Sequence, residues 1–131
     1  MNPMRKFLRS LRHAWRGLVD VAKYEQSFRL QIIATTVAVF LAWFFPLNTW
    51  ERILVVILCS AVLVLEILNS IIERFADAIQ PRLSSMVGEV KDMMAGAVFV
   101  AAITAAGIGI VIFYPHFYNL IRAILTVSGG S

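Results

Sequence analysis

The chain has 131 residues, of which 60% are hydrophobic and 15% are charged, and its formal net charge is +4. This composition excludes a soluble domain with a large core and indicates one small, all-α integral membrane protein forming a single domain over residues 1–131. The positive charge does not indicate a nucleic-acid partner, because the Lys and Arg residues flank the apolar segments. The single cysteine, Cys59, excludes an intrachain disulfide.

The N-terminal segment, residues 4–26, is predicted to be an amphipathic helix that lies on the membrane surface. Its apolar side chains recur every three or four residues, and its arginines occupy another face. No apolar stretch follows the basic start until residue 30, so we do not expect a cleaved signal peptide.

Three apolar segments are predicted to cross the membrane, and they cover residues 30–45, 53–79 and 93–113. The second is long enough to cross a hydrocarbon core of ~30 Å and to extend beyond it, until Gln80-Pro81 ends the helix. Small residues in the third favour close helix packing.

The last segments of the chain are predicted to lie outside the spans. Residues 82–88 are predicted to form a polar loop. Tyr114-Pro115 is predicted to close the third span, and residues 117–127 are predicted to form an interfacial tail.

The distribution of basic residues predicts the orientation. Of the 12 Lys and Arg residues, seven precede the first span, and three more, Arg74, Arg82 and Lys91, lie near the end of the second span or between it and the third. The positive-inside rule then places the N-terminus in the cytoplasm and the C-terminus outside.

The second span carries a polar face. Glu66, Asn69, Ser70, Glu73 and Asp77 follow helical spacing and therefore share one side. Glu66 is the deepest, with Glu73 about 10 Å and Asp77 about 16 Å closer to the cytoplasm. A charged side chain at mid-membrane costs about 2.5–3.5 kcal/mol on insertion scales, so this face predicts a functional site.

The residue types on this face and beside it indicate a reaction. Cytoplasmic-level carboxylates suit Mg²⁺, a lysine suits phosphates, and a carboxyl group in a partly apolar setting can act as a general base. These features indicate phosphoryl transfer from a nucleotide to a hydroxyl at the membrane, although no glycine-rich phosphate loop is present. Two alternatives remain open at this point: polar contacts that only hold helices together, and a carboxylate of a small proton-coupled transporter.

The motif itself is recognisable. E-I-L-N-S-I-I-E-R-F-A-D, from Glu66 to Asp77, followed by K-D-M-M-A-G-A-V from Lys91, resembles the prokaryotic diacylglycerol kinase family, whose signature is E-x-x-N-[ST]-x-x-E-x-x-x-D. W-R-G-L at Trp15 and E-x-x-F-R at Glu25 also fit, and the resemblance extends from about residue 6 to residue 115.

The resemblance implies a homotrimeric lipid kinase of the bacterial cytoplasmic (inner) membrane that uses ATP and Mg²⁺. By position, Glu66 resembles the catalytic base, and Glu25 and Glu73 resemble the metal ligands. The positions that resemble nucleotide contacts are Lys6, His13, Glu25, Asn69, Glu73, Asp77, Arg82, Leu83, Ser84, Lys91 and Asp92. Those that resemble lipid contacts are Trp15, Phe28, Arg29, Glu66 and Ser70.

The family has two branches, undecaprenol kinases and diacylglycerol kinases. The segment E-Q-S-F-R-L-Q at residues 25–31 and the extension past the third span look more like the undecaprenol branch. Gln31 stands where diacylglycerol kinases tend to have an acid. We therefore expect undecaprenol as the substrate, with diacylglycerol as the alternative.

Overall fold

Four helices make up the part of the chain that the computed structural model describes, residues 2–79 and 84–128, and this part contains no strand. The helices are α1 (Pro3–Tyr24), α2 (Gln26–Phe44), α3 (Thr49–Ile79) and α4 (Ser84–Ser128). α3 packs against both α2 and α4, and α1 contacts mainly α2. Three of the helices, α2, α3 and α4, are long and apolar enough to cross a membrane. The predictions of an all-α fold and of three apolar spans are confirmed.

α1 packs against the rest of the chain near its C-terminal end. It begins at Pro3 after Asn2, whose Oδ1 accepts a hydrogen bond from the Met4 N–H at 3.2 Å and so satisfies one of the free donors of the first turn. Val21 is its buried residue, whereas apolar side chains such as Phe7 remain exposed.

α1 and α2 meet at a single non-helical residue, Glu25, whose backbone is extended (φ −106°, ψ 113°). Its N–H donates to the Val21 carbonyl at 2.9 Å, and Arg29 Nη1 donates to the Ala22 and Lys23 carbonyls at 3.1 and 2.9 Å. Because the last carbonyls of a helix otherwise lack partners, these bonds hold the junction in place. α1 therefore ends before the predicted residue 26, and α2 begins before the predicted residue 30.

The turn between α2 and α3 satisfies its own polar groups. The Asn48 N–H donates to Glu51 Oε2 and the Glu51 N–H donates to Asn48 Oδ1, both at 2.9 Å, which is a reciprocal capping box. Arg52 Nε donates to the Ala42 carbonyl at 3.0 Å and ties the start of α3 to the end of α2. α3 thus starts at Thr49, ahead of the predicted residue 53, and is described as far as Ile79. Gln80-Pro81, which are predicted to end this helix, lie outside the described residues.

α4 continues through Pro115 to Ser128, so the prediction that the helix closes at this proline is wrong. A proline removes one backbone donor, but membrane helices tolerate such interruptions. The Phe45 ring packs on both sides of the proline, with centroid distances of 6.3 Å to Phe113, 5.6 Å to His116 and 4.8 Å to Phe117. This packing supports a continuous helix; the position of the membrane boundary along it stays a prediction. α4 also begins at Ser84, inside the segment predicted as a polar loop.

The hydrophobic core lies beside the α2–α3 turn. Its buried members are Ala42, Phe45, Leu47, Val55, Ile112 and Phe113. Many large apolar side chains elsewhere on α2, α3 and α4 remain exposed on the single chain. Such a surface suits a lipid environment rather than water. The polar face of α3 differs from this apolar surface.

Candidate functional site

The polar face of α3 begins with two buried residues. Glu66 is 3% exposed and Ser70 is 2% exposed. The Ser70 hydroxyl donates to the Glu66 backbone carbonyl at 3.0 Å, so it does not engage the carboxylate. Within residues 2–79 and 84–128, no side chain donates a hydrogen bond to the Glu66 carboxylate. The Glu66 side chain is therefore buried, and its carboxylate has no donor in the described part of the chain.

One turn further along α3, an amide and a carboxylate are hydrogen-bonded. Asn69 Nδ2 donates to Glu73 Oε1 at 3.3 Å. A carboxylate can only accept here, so this bond fixes which way the amide points. Asn69 Oδ1 is left buried without a partner in the described part of the chain. Because buried polar atoms are nearly always paired, an unpartnered oxygen beside a carboxylate indicates a missing donor or cation.

The Asp77 end of the polar face is joined to α4. Lys91 Nζ lies 3.0 Å from Asp77 Oδ1, and this pair connects the two helices. Both side chains remain accessible, at 33% and 66%. The end of the site thus presents a lysine where an anion could reach it.

A second ion pair joins the α1–α2 junction to α3. Arg74 Nε and Nη2 lie 3.4 and 3.5 Å from the same atom, Glu25 Oε1. The Arg74 guanidinium also lies 5.7 Å from the centroid of the Tyr24 ring. Arg74 is absent from the predicted site residues. The one signal in the sequence that could have indicated Arg74 is its position next to Glu73 in the acidic motif, but its partner, Glu25, is 49 positions away.

Several predicted site residues are not brought to this face. Three on α1 are exposed, and no hydrogen bond or ion pair joins them to the α3 face within the described residues; they are Lys6, His13 and Trp15. Asp92 is exposed on α4. Phe28 is 4% exposed and packs inside the chain, and the Arg29 guanidinium is engaged at the end of α1. Arg82, Leu83 and the Ser84 side chain lie outside the described residues.

An apolar groove of about 690 Å³ opens between α2, α3 and α4. Its few polar side chains include Gln31 and Thr35 on α2, and Gly109 belongs to the stripe of small residues that lines it from α4. Val62 also lines it and shares the buried face of α3 with Glu66, one helical turn or about 6 Å away. The groove therefore begins close to the buried carboxylate and has a size typical of small-molecule sites, about 300–1,000 Å³.

The chain has three apolar helices, and the acidic face of α3 begins at a buried carboxylate and ends beside an accessible lysine of α4. These features define a multi-pass membrane protein with a polar site on its central helix. The chain belongs to the prokaryotic diacylglycerol kinase family, whose model matches residues 12–113. It is an ATP-dependent lipid kinase, and the predictions of the family and of this activity are confirmed.

Relatives from both branches of the family are similar to the chain. The undecaprenol kinase of Bacillus subtilis (strain 168) is 31% identical over 114 residues, which cover 87% of this chain and 93% of that protein. The diacylglycerol kinase of Escherichia coli (strain K12) is 30% identical over 112 residues, covering 86% and 92%. The diacylglycerol kinase of Pseudomonas aeruginosa is 26% identical over 98 residues, covering 75% and 80%. The nearly equal identities of the first two do not distinguish the lipid substrates.

Proposed function

We propose that the protein transfers the γ-phosphate of ATP to the hydroxyl of undecaprenol, with Glu66 as the general base. The observation that carries this proposal is that Glu66 is buried at one end of a continuous polar face and that no donor among the residues the structure describes engages its carboxylate. A carboxylate with free oxygens can accept the proton of a lipid hydroxyl as the oxygen attacks phosphorus. Catalysis of phosphoryl transfer otherwise needs mainly positioning and neutralisation of charge.

The nucleotide is proposed to lie on the cytoplasmic side of Glu66. Lys91 is an accessible cation at this end, and it would exchange its contact with Asp77 for a phosphate oxygen. The unpartnered Asn69 Oδ1 could accept a hydrogen bond from the nucleotide. Asp92 and the α1 residues Lys6 and His13 are proposed as further contacts on the basis of the family resemblance alone.

Glu25 and Glu73 are proposed to hold Mg²⁺. No three His, Cys, Asp or Glu side chains come together among the described residues. That arrangement still fits a nucleotide-borne Mg²⁺, which typically uses one or two carboxylates together with phosphates and water. The buried Asn69 oxygen next to Glu73 adds a further oxygen donor of the kind this ion prefers. When bound, Mg²⁺ would neutralise charge on the phosphate oxygens.

Undecaprenol is preferred to diacylglycerol because of the groove and its polar residues. The groove starts one turn from Glu66, so a lipid whose hydroxyl meets this carboxylate could place its chain against the small residues of α4. Gln31 in this lining is neutral, which suits a substrate without further polar groups next to its hydroxyl. Trp15, Phe28, Arg29 and Ser70 keep their assignment as lipid contacts only as predictions.

The active assembly is proposed to be a homotrimer in the bacterial inner membrane, with the N-terminus in the cytoplasm and the C-terminus outside. The asymmetry of basic residues supports this orientation. The exposed apolar side chains of α1, together with its arginines, suit a helix lying on the inner leaflet.

A parallel assay tests this proposal. Purified protein is offered radiolabelled ATP with undecaprenol in one set of vesicles and diacylglycerol in another. We expect labelled undecaprenyl phosphate to form at the higher kcat/KM. Preferential labelling of diacylglycerol would overturn the branch assignment. Labelling of neither lipid, together with proton-driven uptake without ATP consumption, would favour a transporter.

A further inference from the structure

We propose that Arg74 is a positioning residue that orients the Glu25 carboxylate for metal binding. The inference rests on the proposed role of Glu25 as a Mg²⁺ ligand. Arg74 directly follows Glu73, the other proposed ligand. The ion pair between Arg74 and Glu25 therefore joins the α1–α2 junction to the turn of α3 that carries Glu73. Glu25 is the one residue between two helices, and its side chain would otherwise rotate freely at that break.

The geometry of the pair leaves one carboxylate oxygen available. An arginine commonly engages both oxygens of a carboxylate with two parallel hydrogen bonds. Here Nε and Nη2 both point to Oε1, and no hydrogen bond to Oε2 occurs within residues 2–79 and 84–128. Arg74 therefore holds Glu25 by one oxygen and leaves Oε2 for a cation.

The position of the guanidinium is itself determined by a second contact. The Tyr24 ring lies 5.7 Å from the guanidinium carbon, a distance at which a cation is attracted to an aromatic face. A lysine could place a charge near Glu25, but it would lack the planar group that both stacks and donates twice. This dependence on the guanidinium shape makes the proposal testable with a conservative variant.

A purely structural role for the ion pair is the competing explanation. The Arg74 and Glu25 side chains are 46% and 21% exposed, and ion pairs that water reaches contribute little to folding stability. We therefore expect the loss of Arg74 to change metal affinity far more than thermal stability. Residues that orient a metal ligand typically affect metal affinity or activity about 10–100-fold.

The test compares Arg74→Gln, Arg74→Lys and Glu25→Gln with a matched control, Arg52→Gln. Arg52 is also an α3 arginine beside an aromatic ring, 6.0 Å from the Trp43 centroid, but it lies at the opposite end of the helix. The direct readout is the dissociation constant of Mn²⁺, added with an unreactive ATP analogue, from the loss of its free-ion EPR signal. The Mg²⁺ half-saturation of lipid phosphorylation and the thermal midpoint are measured on the same preparations.

We expect Arg74→Gln to weaken Mn²⁺ binding and raise the Mg²⁺ half-saturation about 10-fold, while kcat at saturating Mg²⁺ is largely retained. Arg74→Lys should give an intermediate shift, and Arg52→Gln none. In the Glu25→Gln background, Arg74→Gln should add no further loss. If Arg74→Gln does not yield folded protein, wild-type Mn²⁺ affinity in Arg74→Lys overturns the proposal.

Other outcomes separate this inference from the proposal on which it rests. If Glu25→Gln weakens Mn²⁺ binding and Arg74→Gln does not, Glu25 remains a ligand and the positioning role is overturned. If Arg74→Gln strengthens Mn²⁺ binding, the guanidinium competes with the cation, which also overturns it. If Glu25→Gln leaves the Mn²⁺ dissociation constant and the Mg²⁺ half-saturation unchanged, Glu25 is not a metal ligand. That result overturns both its proposed role as a ligand and the positioning role of Arg74.

Discussion

Replacement of Glu66 by glutamine removes the proposed base and changes little else. The side chain is 3% exposed, and an amide of nearly the same volume creates no cavity there. No hydrogen-bond donor of the described residues loses a partner, since none engages the carboxylate. The substitution also removes a group whose burial in charged form is costly, so we expect unchanged or higher stability. The expected loss is therefore confined to the chemical step.

The size of that loss follows from the proton transfer. A positioned general base contributes about 10²–10⁴-fold to a rate, which is about 3–5 kcal/mol of activation free energy. We expect kcat to fall by this factor in single-turnover and steady-state assays, while the KM for ATP and the oligomeric state are unchanged. Glu89→Gln, the same substitution at an exposed position of α4, serves as the control and should retain wild-type turnover.

Two results would refute this reasoning. Wild-type kcat in Glu66→Gln would remove the carboxylate from the chemistry. A large drop in the thermal midpoint with a parallel loss of oligomer would assign Glu66 to helix association instead, since polar contacts between membrane helices are worth about 0.6–2 kcal/mol.

Three further predictions concern the cation, the nucleotide and the lipid. Glu73→Gln should raise the Mg²⁺ half-saturation at least about tenfold, and an unchanged Mg²⁺ titration would argue against ligation. Lys91→Met should raise the KM for ATP with little change in the KM for lipid, because it removes the accessible cation that is paired with Asp77. A KM for ATP equal to that of the wild type would contradict this. Gly109→Leu should raise the KM for lipid, because the leucine fills the groove. Gly107→Leu, outside the groove lining, is the control and should not raise it; an added Cβ atom meets open space at both positions.

The sequence predicted the polar face of α3 well, because helical spacing alone decides which residues share a side. Glu66 and Ser70 are buried together, and Asn69 is bonded to Glu73 as their spacing allows. These features depend only on neighbours within one helix, which a linear pattern contains.

Contacts between distant segments could not be predicted in the same way. The pairing of Arg74 with Glu25 joins residues 49 positions apart, and no local pattern specifies it. The course of α4 through Pro115 was also missed, because local propensity treats a proline as a helix end. The Phe45 ring, from the turn between α2 and α3, packs on both sides of the proline, and this contact is not visible in a local pattern.

The turn between α2 and α3 has a consequence for biogenesis. Its capping box and the Arg52–Ala42 hydrogen bond satisfy polar groups without water or any other subunit. Its two ionisable residues, Glu51 and Arg52, carry opposite charges that cancel. Unsatisfied backbone groups and net charge are the main barriers to moving a loop through hydrocarbon. In the proposed orientation, the α2–α3 hairpin is therefore suited to enter the bilayer as one unit.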